Sequence, residues 1–165
     1  MRILVDADSC PSDARRVILR AAEKRRIQAV FAANHPIPGV EGDFALMSVC
    51  PETVGAADDY LVETARYGDL AITRDIPLAG RLLGKGVSVL DDRGRIFTHD
   101  NIRSYLSIRN FQINLTLNST SIVRHANYNK KSLKTFADSF DKLLTQLSRP
   151  PPPVPPAGLH IASNS

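Results

Sequence analysis

The chain has no tryptophan, and aromatic residues make up only 6% of its 165 positions. That excludes an aromatic-rich platform on which successive single-strand bases stack. Cysteine is scarce too. Cys10 and Cys50 follow no C-x-x-C spacing, so neither a zinc site of the usual kind nor a disulfide framework is expected. Cys10, near an acidic cluster, reads as a small buried side chain. No apolar run approaches the about 18 residues that a membrane span needs, so no membrane partner is expected. The opening residues read as a strand rather than a leader, which predicts no secretory signal and a reducing, cytoplasmic setting. His35 and His99 have no partner at ligand spacing and read as structural or exposed. Gly84-Lys85-Gly86 lacks the spacing of a phosphate loop, and Ser9 has no His/Asp arrangement that would make it a nucleophile.

What is present is an ordinary apolar content, 43%, in a length suited to one domain. The formal net charge of +4 is uneven. Residues 1–108 hold 14 Lys/Arg against 15 Asp/Glu, and residues 109–165 hold 7 against 2. An acidic region beside a basic one suits a polyanion held at a metal site, although a solvated basic face has the same composition.

Strand and helix signals alternate along the chain. ILV opens a first strand, and Pro11-Ser12-Asp13 then starts a helix on which Ala14, Val17, Ile18, Ala21 and Ala22 recur at helical spacing. Residues 27–33, 44–49, 69–73 and 87–91 read as strands, with helices over about 54–66 and from Ile76 to near Gly84. RIFT is a candidate edge strand, and 99–115 a further helix. In the last helix Leu133, Phe136, Ala137, Phe140, Leu143, Leu144 and Leu147 share one face. This order predicts an α/β fold with a mostly parallel sheet covered on both faces. The domain is expected over residues 1–148. Residues 149–165, with six prolines in the seven positions 150–156, are expected to form an extended or disordered tail.

Acidic residues cluster at strand ends. Asp6 and Asp8 follow the first strand, where a side-chain period of two would point both to one side. Asp75 follows the fourth strand, and Asp91 and Asp92 close the fifth. Ligands of open α/β sheets bind beyond the carboxyl ends of the strands, so these residues converge on one edge. Asp58 shares a helix stripe with Leu61, Val62 and Ala65, which turns it toward the sheet. Asp59 falls to the side, nearer Glu63 and Arg66. Oxygen ligands without His or Cys suit Mg²⁺ or Mn²⁺. Each position also has a plainer explanation. Asp8 or Asp13 could cap the first helix, Asp75 the helix that begins at Ile76, and Asp91 or Asp92 could open a turn.

Three functions use the same carboxylates. In a metal-dependent nuclease, Asp6, Asp58 and Asp75 hold the metal with Asp8 or Asp91, and Arg15, Arg16, Arg74 and Arg93 track a phosphate backbone. In a phosphatase of the haloacid dehalogenase type, Asp6 and Asp8 act on phosphate with Thr73, Lys85 and Asp91-Asp92. The five residues between Lys85 and Asp91 leave no room for the intervening unit that such enzymes have. In a non-catalytic binding module the carboxylates are caps and ion pairs.

VDADSCP, AADDYLV, GDLAITRDIPLAGRLLGKG, the DDRG turn, NIRSYLSIRNF and FADSFDKLL together resemble the YaiI/YqxD family of uncharacterised bacterial proteins, from residue 1 to about 147. The resemblance implies a three-layer PIN-like domain, the fold of many Mg²⁺-dependent ribonucleases, with Asp6, Asp8, Asp58 and Asp75 as the matched acids. It also implies RNA in preference to DNA as the partner, cut by metal-activated water. The chain departs from the family at 118–131, NSTSIVRHANYNKK, where relatives carry a Gly-rich stretch. The proline tail has no counterpart.

Overall fold

Strand β1 (Ile3–Asp6) is apolar along its length apart from its last residue, and every one of its positions is buried. A strand buried on both faces belongs in the middle of a parallel sheet. In the computed structural model, which describes residues 1–118 and 128–149, β1 lies there, between β2 (Ala29–Ala33) and β4 (Leu70–Ile72). Ile3 sits opposite both Ala29 and Leu70. The full strand order is β3-β2-β1-β4-β5-β6, with β3 at Ala45–Val49, β5 at Ser88–Leu90 and β6 at Ile96–Phe97. All neighbours pair in parallel except β5 and β6, which form an antiparallel edge.

The period-two alternation of the strands divides the core into two layers. Ile3, Val5, Phe31, Leu70 and Ile72 pack with Ala14, Ile18 and Ala22 of α1 (Ser12–Arg25) and with Phe136, Phe140 and Leu144 of α5 (Lys130–Leu147). On the other face Leu4, Val30, Ala71 and Val89 meet α2 (Ala56–Thr64), α3 (Ile76–Leu83) and α4 (His99–Asn118) through Leu61, Leu78, Leu82 and Ile102. Helices on both faces of one sheet make a three-layer α/β fold consistent with a PIN-like domain. The apolar stripe expected on the last helix is the one buried, centred on the stacked rings of Phe136 and Phe140, 5.3 Å apart.

Element boundaries shift by a few residues, for local reasons. α1 ends at Arg25, before the segment expected as strand 27–33, and β2 begins only at Ala29. Arg26 then ends the helix in the left-handed region, φ 55°, with its N–H returning to the carbonyls of Ala22 and Glu23. The expected turn at DDRG joins β5 to β6, where Gly94 at φ 85° presses against Thr135 of α5. A Cβ there would stand 2.5 Å from the Thr135 carbonyl oxygen, so only glycine fits. Both cysteines are free and buried, and burial pushes the Cys10 thiol up to about 12. No helix among the described residues is long and apolar enough to cross a membrane. The proline-rich stretch 150–165 and most of the 118–131 segment lie outside the described residues.

Candidate functional site

The chain leaves β1 for β2 and β3 on one side, then returns for β4, β5 and β6 on the other. The direction of strand addition therefore reverses between β1 and β4, and the crevice above such a switch point is where open sheets bind ligands. A cleft of about 490 Å³ lies at this end of the sheet, lined by Asp6, Asp8, Ser9, Asn34, Gly55, Ala57, Asp58, Arg74 and Asp75. Four of the five carboxylates expected as ligands are brought together here.

Asp6 ends β1 two positions after Leu4, so alternation turns it toward the layer of α2 and α3. It is only 8% exposed, and its Oδ2 accepts hydrogen bonds from the hydroxyls of Ser9 and Thr73, both at 2.8 Å. The Thr73 oxygen in turn accepts the N–H of Asp75 at 3.0 Å. Asp75 caps α3, with Oδ1 accepting the N–H of Leu78 at 2.7 Å, so the plainer reading of this residue holds alongside its place in the cleft. Asp58 lies in the first turn of α2, half-buried.

Asp8 arrives by another route than expected. β1 stops at Asp6, and residues 7–9 turn, so the period-two argument does not reach Asp8. The turn brings it to the cleft instead, where Oδ2 accepts the N–H of Asn34 at 3.2 Å and Oδ1 lies 3.4 Å from Nδ1 of His35. The first helix has no side-chain cap, so neither Asp8 nor Asp13 serves as one.

Asp91 is not in the cleft. Its Oδ1 accepts the N–H groups of Arg93 and Arg95, both at 2.9 Å, which folds the β5–β6 turn. Burial pushes its carboxyl up against those two hydrogen bonds. Asp92, 1% exposed, is paired with Arg74 through two parallel contacts. Lys85 donates to the Val62 carbonyl and does not line the cleft. The phosphate-binding lysine and the late acidic pair of the phosphatase reading are thus engaged elsewhere. Of the four arginines, Arg74 lines the cleft. Arg15 bonds the Cys10 carbonyl, Arg16 pairs with Asp13 on the surface of α1, and Arg93 lies in the β5–β6 turn. Asp59, expected at the side of the helix as an exposed or salt-bridged residue, is exposed and pairs with Arg81 at 2.7 Å.

Asn34 was legible by the rule that found Asp6, since it follows the apolar run AVFAA of β2 directly. Its Oδ1 is buried and has no hydrogen-bond partner. A buried oxygen of this kind costs free energy unless a donor or a cation satisfies it. His35 and Thr73 became visible as neighbours only through contacts across the sheet edge.

The electrostatics are those of crowded anions. Burial pushes the Asp58 carboxyl from 3.8 up to about 6, and Asp75 and Asp6 add to the effect while Arg81 opposes it. The folded protein therefore holds this proton more tightly than the unfolded chain does. Stability falls as pH rises from about 4 through about 6, because the folded state must then give up or strain a proton that the unfolded chain has already released. Asp58→Asn removes that penalty. After allowance for solvent screening at a half-exposed group, the variant is expected to exceed the wild type by on the order of 1 kcal/mol above pH 6. The two should coincide below about pH 4. Urea denaturation at pH 4 and pH 7.5 checks this, and equal differences at both values would remove the charge crowding as its cause.

Among the described residues no three His, Cys, Asp or Glu side chains stand close enough together to cage a metal ion. The donor set is nonetheless all oxygen, with the unpaired Asn34 Oδ1 among it. It suits Mg²⁺ or Mn²⁺ held through one or two carboxylates with its water largely retained, which is how Mg²⁺ is commonly bound.

No solved structure matches the chain at a significant level. It is 46% identical over 146 residues to a UPF0178 protein of Treponema denticola, covering 88% of this chain and 93% of the relative. A UPF0178 protein of Myxococcus xanthus is 40% identical over 156 residues, 92% and 99% of the two chains. One from Stutzerimonas stutzeri is 41% identical over 151 residues, 90% and 99%. Residues 4–146 match the family described as "Uncharacterized BCR, YaiI/YqxD family", a description that assigns no activity. The motifs that gather Asp6, Asp8, Asp58 and Asp75 lie inside that match, and the chain belongs to the YaiI/YqxD family.

Proposed function

We propose that the protein is a divalent-cation-dependent phosphodiester hydrolase that acts on RNA in preference to DNA. The observation that carries this reading is the meeting of Asp6, Asp8, Asp58 and Asp75 in one cleft at the sheet's switch point, beside the unpaired Asn34 oxygen. Asp6 and Asp75, each oriented by hydrogen bonds, would hold Mg²⁺ or Mn²⁺, with Asp58, Asp8 and Asn34 around them. Such an ion, when bound, supplies positive charge that acidifies water and stabilises an attacked phosphate. The chain's own residues do the rest. Ser9 and Thr73 keep Asp6 aimed into the cleft, and Arg74 stands at its wall. Arg15 and Arg16 on α1 and Arg93 in the β5–β6 turn are assigned to phosphates further along the strand. The preference for RNA rests on the PIN-like character of the fold, a warrant by analogy.

Calorimetric titration of Mn²⁺ tests the reading without a choice of substrate. The wild type is expected to bind specifically, and Asp6→Asn, Asp58→Asn and Asp75→Asn each to weaken binding about tenfold or more. Asn at position 75 can still cap α3, so a loss there reports the charge rather than the cap. Absence of specific binding to the wild type would overturn the reading and leave the carboxylates as caps and ion pairs of a binding module.

A further inference from the structure

Arg74 is the one cation among the described residues that line the acidic cleft, and it is held in an unusual way. Its Nε and Nη2 donate side by side to the two carboxylate oxygens of Asp92. Asp92 is 1% exposed, whereas the Arg74 side chain is 37% exposed. Here the anion is buried while Arg74 lines the cleft, and its guanidinium has three of its five N–H groups left over after the two given to Asp92.

The anchor is itself anchored. The Asp91 carboxylate takes the N–H groups of Arg93 and Arg95, and the Asp91 N–H returns to the Arg95 carbonyl at 2.9 Å. Gly94 lies flat against Thr135 of α5, and the Tyr128 hydroxyl donates to the Asp92 carbonyl at 3.0 Å. The β5–β6 turn is thus gripped from within by Asp91 and from outside by the α5 region. These contacts fix the Asp92 backbone, and the two parallel hydrogen bonds set the orientation of the Arg74 guanidinium plane.

We propose that Asp92 is a positioning residue, which holds the Arg74 guanidinium at the wall of the carboxylate cleft as the contact for a non-bridging oxygen of the substrate phosphate. The inference rests on the phosphodiester reading and adds to it the role of the second aspartate of DDRG. Asp92 serves the site through Arg74 and touches neither metal nor substrate. The anionic group that enters a cleft of four carboxylates then meets one lining cation supplied by the chain, oriented by its anchor and with its donors in one plane.

The test uses the full chain, a fluorescein-labelled single-stranded oligoribonucleotide and Mn²⁺. Probe binding is read by stopped-flow anisotropy, before turnover, over a series of KCl concentrations. Mn²⁺ binding alone is read by calorimetry. Arg74→Lys and Asp92→Asn are each expected to weaken probe binding about tenfold and to leave the Mn²⁺ isotherm unchanged. Asp92→Asn is the sharper variant. It removes a negative charge, so a role for net charge alone predicts tighter binding, and only loss of position predicts weaker. Arg74→Ala is expected also to lower the salt slope by about 0.7, and Arg74→Lys to leave that slope in place. If Asp92→Asn fails to fold, Arg74→Lys decides, because its side chain is substantially exposed.

Unchanged or tighter probe binding by Asp92→Asn, or unchanged binding by Arg74→Lys, would overturn the inference. So would a wild type that binds Mn²⁺ and not the probe. A wild type that binds the probe through Arg74 and Asp92 but takes up no Mn²⁺ would overturn the metal reading and keep the phosphate contact.

Discussion

Asp6→Asn is expected to reduce Mn²⁺-dependent cleavage of a single-stranded oligoribonucleotide by on the order of a hundredfold or more, with the fold intact. Asp6 is the cleft carboxylate most enclosed by the protein, and both hydroxyls that hold it donate to the same oxygen, Oδ2. Oδ1 takes no hydrogen bond from the described residues and is the atom left for a cation. Asparagine at this position can present its single carbonyl oxygen to Ser9 and Thr73, so the local hydrogen bonds survive. What is lost is the charge. Initial rates and urea midpoints measured on the same preparations separate the two effects. A variant that keeps its rate would remove Asp6 from the chemistry. One that loses rate and stability together would make it a structural residue.

The second large effect lies at the other end of the sheet and concerns stability. Asp69→Ala is expected to destabilise the protein by about 3–5 kcal/mol, the range for removing one partner of a buried ion pair. Asp69 is 3% exposed, and its two oxygens accept the Arg2 N–H at 2.8 Å, the Arg2 guanidinium at 2.7 Å and the Arg66 N–H at 3.0 Å. The same guanidinium donates to the Thr64 carbonyl at the end of α2. The pair therefore joins the residues just before β1 and β4 to the end of a covering helix, the carboxylate through the Arg66 N–H and the guanidinium through Thr64. Its removal leaves Arg2, only partly exposed, without its counter-ion and two backbone N–H groups without acceptors. The urea midpoint should fall steeply while Mn²⁺ affinity per folded molecule stays the same, because the cleft is at the opposite ends of these strands. A loss below about 1 kcal/mol would mean that water replaces the carboxylate there.

Much of this molecule could be read before its structure. The strands announce themselves as apolar runs, and α5 as a stripe at helical spacing, because burial in a layered fold imposes those periods on neighbouring residues. The same logic predicts Asp6 and Asp75 at strand ends and Asp58 on the inward stripe of its helix, and the three meet in one cleft. Asp8 reaches the cleft although the argument for it fails, since a turn and not a strand carries it there.

The strand–helix order, the parallel sheet and a common acidic edge were thus determined by the sequence alone, because each follows from local periodicity and turn chemistry. Tertiary structure decided which acids share the cleft. Asp91 looks equivalent to Asp75 in sequence, yet its carboxylate is engaged by its own turn, Oδ1 by two N–H groups and Oδ2 by the Arg95 guanidinium at 3.7 Å, and Asp92 is engaged by Arg74 from the loop after β4. The contact of Thr73 with Asp6 spans 67 residues, and that of Asn34 with Asp8 spans 26. Such partners are chosen by strand order and by the packing of helices on the sheet. No pattern of neighbouring side chains encodes them, because a hydrogen bond depends on where two chain segments meet in space and not on what lies beside either one.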